Sequence, residues 1–144
     1  MEETMSQLEQ YEIEKVKGRD AAVAAFVEAN PGYAVDAVQP EDRGGTHLVT
    51  FGTFRGEPVV FKYYHGDPRK HHEKRALELF APTGFVPRVY PDDTDDILVM
   101  ERLRGKTVFD AAESLSQAEF SELHRQIGGA VAKVVEVMLS LINI

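Results

Sequence analysis

Thr46-His-Leu-Val-Thr-Phe-Gly-Thr-Phe54, then Arg55-Gly-Glu-Pro58, then Val59-Val-Phe-Lys-Tyr-Tyr64 follow one another without interruption. The first and third stretches are rich in β-branched and aromatic residues, and the second is a short turn containing glycine and proline. That is the pattern of an antiparallel hairpin. Just upstream, Val35-Asp-Ala-Val38 alternates and Arg43-Gly44-Gly45 breaks the run, so a third strand is expected before the hairpin. Downstream, Pro68–Phe80 predicts a helix whose apolar residues are Leu77, Leu79 and Phe80, stopped by Pro82-Thr83-Gly84. Val86–Tyr90 reads as a short strand, Pro91-Asp-Asp-Thr-Asp-Asp96 as an acidic turn in water, and Ile97–Leu103 as a buried strand ended by Gly105. The expected class is α+β: a five-stranded antiparallel sheet with one inserted helix, followed by a long C-terminal helix.

The two ends have a different texture. Residues 1–18 are polar and are expected to fray. Asp20 is the expected N-cap of a short helix through Ala29, with Val23, Phe26 and Val27 at helical spacing and Asn30-Pro31-Gly32 as its stop. Near the other end, Ser116 and Glu119 have the spacing of a capping box. Phe120, Leu123, Ile127, Val131, Val134, Met138 and Leu141 then recur on one helical face. Beyond Val134 the polar face nearly vanishes, because Val135, Val137, Leu139 and Ile142 are apolar too. A helix that is apolar all round expects burial on all sides. A homodimer, or another partner that covers residues 116–144, is therefore expected. The organisation reads as an N-terminal extension over 1–32, a sheet domain over 33–105 and a helical segment over 106–144.

Composition narrows the classes. The 144 residues are 43% hydrophobic, enough for one domain with a core. There is no cysteine, which removes disulfides and thiolate zinc sites and suits a reducing cytoplasm. Met1–Gln10 is acidic, and no apolar run approaches the ~20 residues of a spanning helix. No signal peptide and no membrane partner are expected, and the cytoplasm is the expected location. A net charge of −8 argues against nucleic acid as a partner, since phosphate backbones attract the opposite sign.

Three features suit phosphoryl transfer, which asks a protein for positioned phosphates and positive charge more than for covalent chemistry. Gly44-Gly45-Thr46 falls in the turn between the first two strands, where the absence of Cβ atoms lets backbone N–H groups approach phosphate oxygens. Lys62 lies on the third strand beside Val60 and Phe61. Glu73 follows on the helix, where it could hold that ammonium. Each has a simpler reading: Lys62 as a solvated strand lysine, Glu73 as part of a charged helix face with Lys70, Lys74 and Arg75, and Gly44-Gly45 as a plain hairpin turn.

Taken in order, these motifs resemble the protein-kinase-like superfamily. Val59-Val60-Phe61-Lys62 is similar to its strand-lysine motif, and Glu73 matches the glutamate of its αC helix that pairs with that lysine. Phe85–Tyr90 and Ile97–Gly105 are similar to its fourth and fifth strands and hinge. The resemblance makes Met100 the gatekeeper and brings the backbone at Glu101 and Leu103 to adenine. Gly-Gly-Thr-His is closer to the aminoglycoside-phosphotransferase-like and atypical branch than to a protein-kinase glycine loop. The resemblance spans about residues 33–135. It implies an ATP-dependent phosphotransferase, with Gly44, Gly45, Thr46, Val60, Lys62, Glu73, Met100, Glu101 and Leu103 around the nucleotide.

The same resemblance places the catalytic loop and the metal-binding aspartate after about the point where the sequence ends. The chain alone is therefore expected to bind ATP weakly or not at all, and magnesium is expected only in a complete parent enzyme. A non-catalytic module that self-associates through its last helix, or a vestigial truncated kinase, remains the alternative. His65-Gly66-Asp67 spells the start of a phosphotransferase catalytic loop, but it stands three residues after Lys62 and position 72 is histidine where asparagine is needed. It reads as a strand-to-helix turn, with Asp67 capping ahead of Pro68. No metal is expected: His71 and His72 are adjacent, so they point to different sides of a helix, and the aspartates of 92–96 lack the glycine and terminal glutamate of a calcium loop.

Overall fold

The computed structural model describes residues 5–40, 47–105 and 108–142. Their order is α1 (Gln7–Ala29), β1 (Tyr33–Val35), β2 (Val49–Phe54), β3 (Glu57–Tyr63), α2 (Arg69–Phe80), β4 (Ile97–Glu101), a short α3 (Val108–Ala111) and the long α4 (Gln117–Ile142). The strands form one antiparallel sheet in the order β1-β2-β3-β4. Arg55 and Gly56 both have positive φ, 49° and 84°, in the two-residue turn that pairs Phe54 with Glu57. A type I′ turn of this kind has the twist that adjacent strands need.

Alternation divides β3 between two faces. Val59, Phe61 and Tyr63 are buried with Val23 and Phe26 of α1, Tyr33 of β1, Tyr90, and Ile97 and Val99 of β4. The Phe61 ring lies 5.9 Å from Phe26 and 5.8 Å from Tyr33, in edge-on contacts that favour aromatic pairs. Val60 and Lys62 point to the opposite face, where α2 packs. The core thus sits between α1 and one face of the sheet, and the other face is left for a site.

Among the described residues the sheet has four strands where five were expected. Val86–Tyr90 makes only a single bridge, Val89 to Met100, with Tyr90 N–H donating to the Val99 carbonyl and Glu101 N–H to the Arg88 carbonyl. Pro87 and Pro91 flank the bridge. At 87 and 91 an N–H would point away from β4, so the prolines cost no bond to it; instead Arg88 N–H is taken by the Glu101 carboxylate at 3.1 Å, and the pairing goes no further. The first strand covers Tyr33–Val35 and not Val35–Val38, and the last stops at Glu101.

Of the stretch 1–18 expected to fray, residues 1–4 lie outside the described residues and the rest is not frayed. One helix runs through Gln7–Ala29, and Asp20, expected as an N-cap, lies in its interior beside Arg19. Ser6 is the cap: its hydroxyl accepts from Glu9 N–H, and the Glu9 carboxylate accepts from Ser6 N–H. Leu8, Tyr11 and Ile13 remain exposed. The first turns therefore rest on the capping box and on good helix formers, with no buried apolar face to reveal them. At α4, Ser116 Oγ accepts from Glu119 N–H at 3.1 Å, as the expected cap requires. No helix among the described residues is long and apolar enough to cross a membrane.

Candidate functional site

Lys62 and Glu73 meet. The strand directs Lys62 away from the core, and α2 crosses that face of the sheet. The ammonium lies 2.9 Å from Glu73 Oε1 and 2.8 Å from Oε2, with the two side chains 24% and 34% exposed. A second group holds the carboxylate: the Tyr64 hydroxyl donates to Glu73 Oε2. The Tyr64 ring also stands beside the ammonium, 5.2 Å from Nζ to centroid. The pair is thus oriented but keeps access to water, so a polyanion arriving at this face would meet a lysine already aimed at it.

Val60 and Met100 are directly paired across β3 and β4, and Phe51 pairs with Val60 across β2 and β3. The three form a half-buried apolar row on the face of Lys62. Leu98, paired with Lys62, is fully buried beneath it. Arg102 covers one end of the row. Its guanidinium carbon lies 3.6 Å from the Phe51 ring centroid, and Nη1 is 3.5 Å from Asp36 Oδ2. Glu101 faces the other way: its carboxylate accepts from Arg88 N–H at 3.1 Å, and its own N–H donates to the Arg88 carbonyl. Leu103 is exposed and, with Pro58, Arg104 and Gly105, lines a hollow of about 320 Å³. Lys62, Glu73, Val60 and Met100 are therefore brought together, while Glu101 and Leu103 lie at the margin. Gly44, Gly45 and Thr46 lie outside the described residues.

His47, the first described residue after that turn, is anchored beside the pair. Its Nε2 is 3.2 Å from Asp67 Oδ2, and its ring lies 4.2 Å from that of Tyr64. Asp67 also accepts from Arg69, through the backbone N–H at 2.9 Å and through Nε at 2.8 Å. The Arg69 bonds, and then His47, hold the Asp67 carboxyl well below the usual carboxylate range. The His65-Gly66-Asp67 segment is the strand-to-helix turn, with φ of 49° at His65 and 70° at Gly66. On the far side of Tyr64 opens a cleft of about 350 Å³, lined among others by Tyr11, His47, Tyr63, His65 and Arg69. Burial, and then Asp96, push the Tyr63 phenol up from its usual range. Lys62 does not line this cleft.

Among the described residues, no three His, Asp or Glu side chains converge to hold a metal. The arrangement offers one oriented ammonium beside an apolar row. Sequence reasoning assigns no role to Tyr64, Asp92 or Arg102. Tyr64 was within reach, because period two puts it on the face of Lys62. Asp92 was not. It belongs to the turn expected in water, yet its side chain is 4% exposed and paired with Lys70 and Lys74.

No protein-family model and no curated protein matches the chain.

Proposed function

We propose that residues 33–105 form the nucleotide-binding lobe of an ATP-dependent, kinase-like phosphotransferase. The observation that supports this most is the double contact of Lys62 with both Glu73 oxygens, on the face that carries Val60 and Met100. Lys62 would share its protons between Glu73 and the phosphates, and the base would lie along Val60 and Met100 once Arg102 withdraws from Phe51. ATP supplies the transferable phosphoryl group. The catalytic base and the magnesium ligands of such a reaction fall outside residues 33–105, so this lobe by itself would bind ATP weakly and turn none over.

Calorimetric titration with magnesium and ATP is the test. A weak association that Lys62→Ala abolishes supports the reading. Equal binding by both proteins, or none by the wild type, removes it. Turnover of labelled ATP by the purified chain, lost in Lys62→Ala, would overturn the claim that this lobe is inactive alone.

A specific observation also favours self-association through α4. Ile127, Val131, Val135, Met138, Leu139 and Leu141 are exposed along it. A stripe of this size on one helix marks an interface. A two-fold pair of α4 helices closes it most simply, and a separate C-lobe is the other occupant. Light scattering should report about twice the 16.1 kDa chain mass, and Val134→Asp with Met138→Asp should halve it. A monomer with α4 fully helical by circular dichroism removes this part of the proposal. It would leave the nucleotide site untouched.

A further inference from the structure

α2 carries Glu73, and none of its apolar side chains is fully buried: Ala76, Leu77 and Phe80 are half-buried and Leu79 is exposed. The helix's only fully buried residue is Lys70. Half-buried apolar contacts set the roll of a helix only loosely, and a directed ionic contact can fix it. One carboxylate supplies that contact. Asp92 stands in the segment between Tyr90 and β4, and its two oxygens take two lysines one helical turn apart. Oδ1 is 2.6 Å from Lys70 Nζ, and Oδ2 is 3.1 Å from Lys74 Nζ. Lys70 and Asp92 are 2% and 4% exposed, and the Lys70 ammonium also donates to the Thr94 carbonyl.

The segment that holds Asp92 is itself tied down. The Tyr33 hydroxyl donates to the Pro91 carbonyl at 2.5 Å, and Asn30 Nδ2 to Asp93 at 3.2 Å. Both ties run to the α1–β1 corner, so Asp92 is fixed relative to the sheet that carries Lys62. On the helix, Glu73 lies within the turn that Lys70 and Lys74 span. Residues i and i+4 share a face, and the residue between them at i+3 is next to it. Rolling or sliding α2 enough to withdraw Glu73 from Lys62 therefore pulls an ammonium from Asp92. Pulling away Lys70 leaves two buried charges unpaired, which is strongly unfavourable.

We propose that Asp92 is a positioning residue: by gripping Lys70 and Lys74 it sets the roll of α2 that aims Glu73 at Lys62. Its consequence for ligand affinity rests on the nucleotide-binding reading above; the grip itself does not. Asp92 touches neither Lys62 nor Glu73, so its effect passes through the helix.

A double-mutant cycle separates positioning from plain stabilisation. Lys62→Met, Glu73→Gln and their combination are unfolded in urea, first in the wild-type background and then with Asp92→Asn. The coupling between Lys62 and Glu73 is expected in the first set and lost in the second. If Asp92 only stabilises the fold, all four midpoints drop together and the coupling survives; that result overturns the proposal. Should Asp92→Asn fail to fold, Lys74→Met leaves the buried Lys70–Asp92 pair in place and is expected to weaken the coupling in part. Unchanged coupling there overturns the proposal equally. Titration with magnesium and ATP is the second arm, with a several-fold loss of affinity expected in Asp92→Asn. Loss of coupling with no ATP bound by any variant would remove the nucleotide reading and uphold the grip.

Discussion

Replacing Gly52 by alanine tests the sheet register on which the site depends. Gly52 is buried on β2 between two strands, paired with Val35 on one side and Val59 on the other. A methyl group built there lies well inside 3.0 Å of both the Ala34 carbonyl oxygen and Phe61 Cε2, and 3.2 Å from Phe61 Cζ. Neither neighbour yields easily. Ala34 belongs to β1, which is hydrogen-bonded to β2, and the Phe61 ring is hemmed in by Phe26 and Tyr33. Overpacking of a core typically destabilises by about 1–3 kcal/mol, and obstruction by both a backbone and a confined ring places this case near the upper end. Replacing a strand glycine recovers roughly 0.5–1 kcal/mol of chain entropy. The net expectation is a loss of about 2 kcal/mol, a large part of a total stability of ~5–15 kcal/mol. Urea unfolding followed by far-ultraviolet circular dichroism should show a lower midpoint with little change in slope. A variant as stable as the wild type would mean that Phe61 does not lie across Gly52. The placement of Val60 and Lys62 on the opposite face would then lose its basis.

The same substitution should have the opposite sign on α4. Methyl groups at Gly128 and Gly129 meet nothing within 4 Å, so Gly128→Ala and Gly129→Ala should each stabilise by about 0.5–1 kcal/mol, read as a higher urea midpoint. Acid sensitivity should trace in part to Asp67. Its carboxyl is held below its ordinary value of 3.8 by Arg69 and His47, so its contribution is present above that value and is lost as pH falls through the lower folded one. The urea midpoint of the wild type should therefore fall more steeply below about pH 4 than that of Asp67→Asn. Parallel acid limbs would show that the Asp67 contacts contribute nothing in solution.

What the residues determine by themselves is what short-range chemistry controls. Val49–Tyr63 had to be a hairpin, because β-branched and aromatic residues flank a turn whose Gly56 accepts positive φ. Ser116 and Glu119 mark the start of α4, and its apolar spacing follows from 3.6 residues per turn. The separation of Lys62 from Glu73 is also local, since a strand end, a tight turn and one helical turn leave few places for the carboxylate. The start of α1 at Gln7 was legible too, in the capping box of Ser6 and Glu9, but the exposed Leu8, Tyr11 and Ile13 gave no buried face to go with it. Tertiary structure decided the rest. An expected strand at Val86–Tyr90 came down to one bridge, an outcome that depends on where Met100 lies across from Val89 and on the Glu101 carboxylate taking the Arg88 N–H. Asp92 looks like any other aspartate in an acidic turn. Only the approach of α2, with Lys70 twenty-two residues away in sequence, turns it into a buried anchor. The burial of a charge depends on whether an opposite charge arrives from elsewhere in the chain, and no local pattern records that arrival.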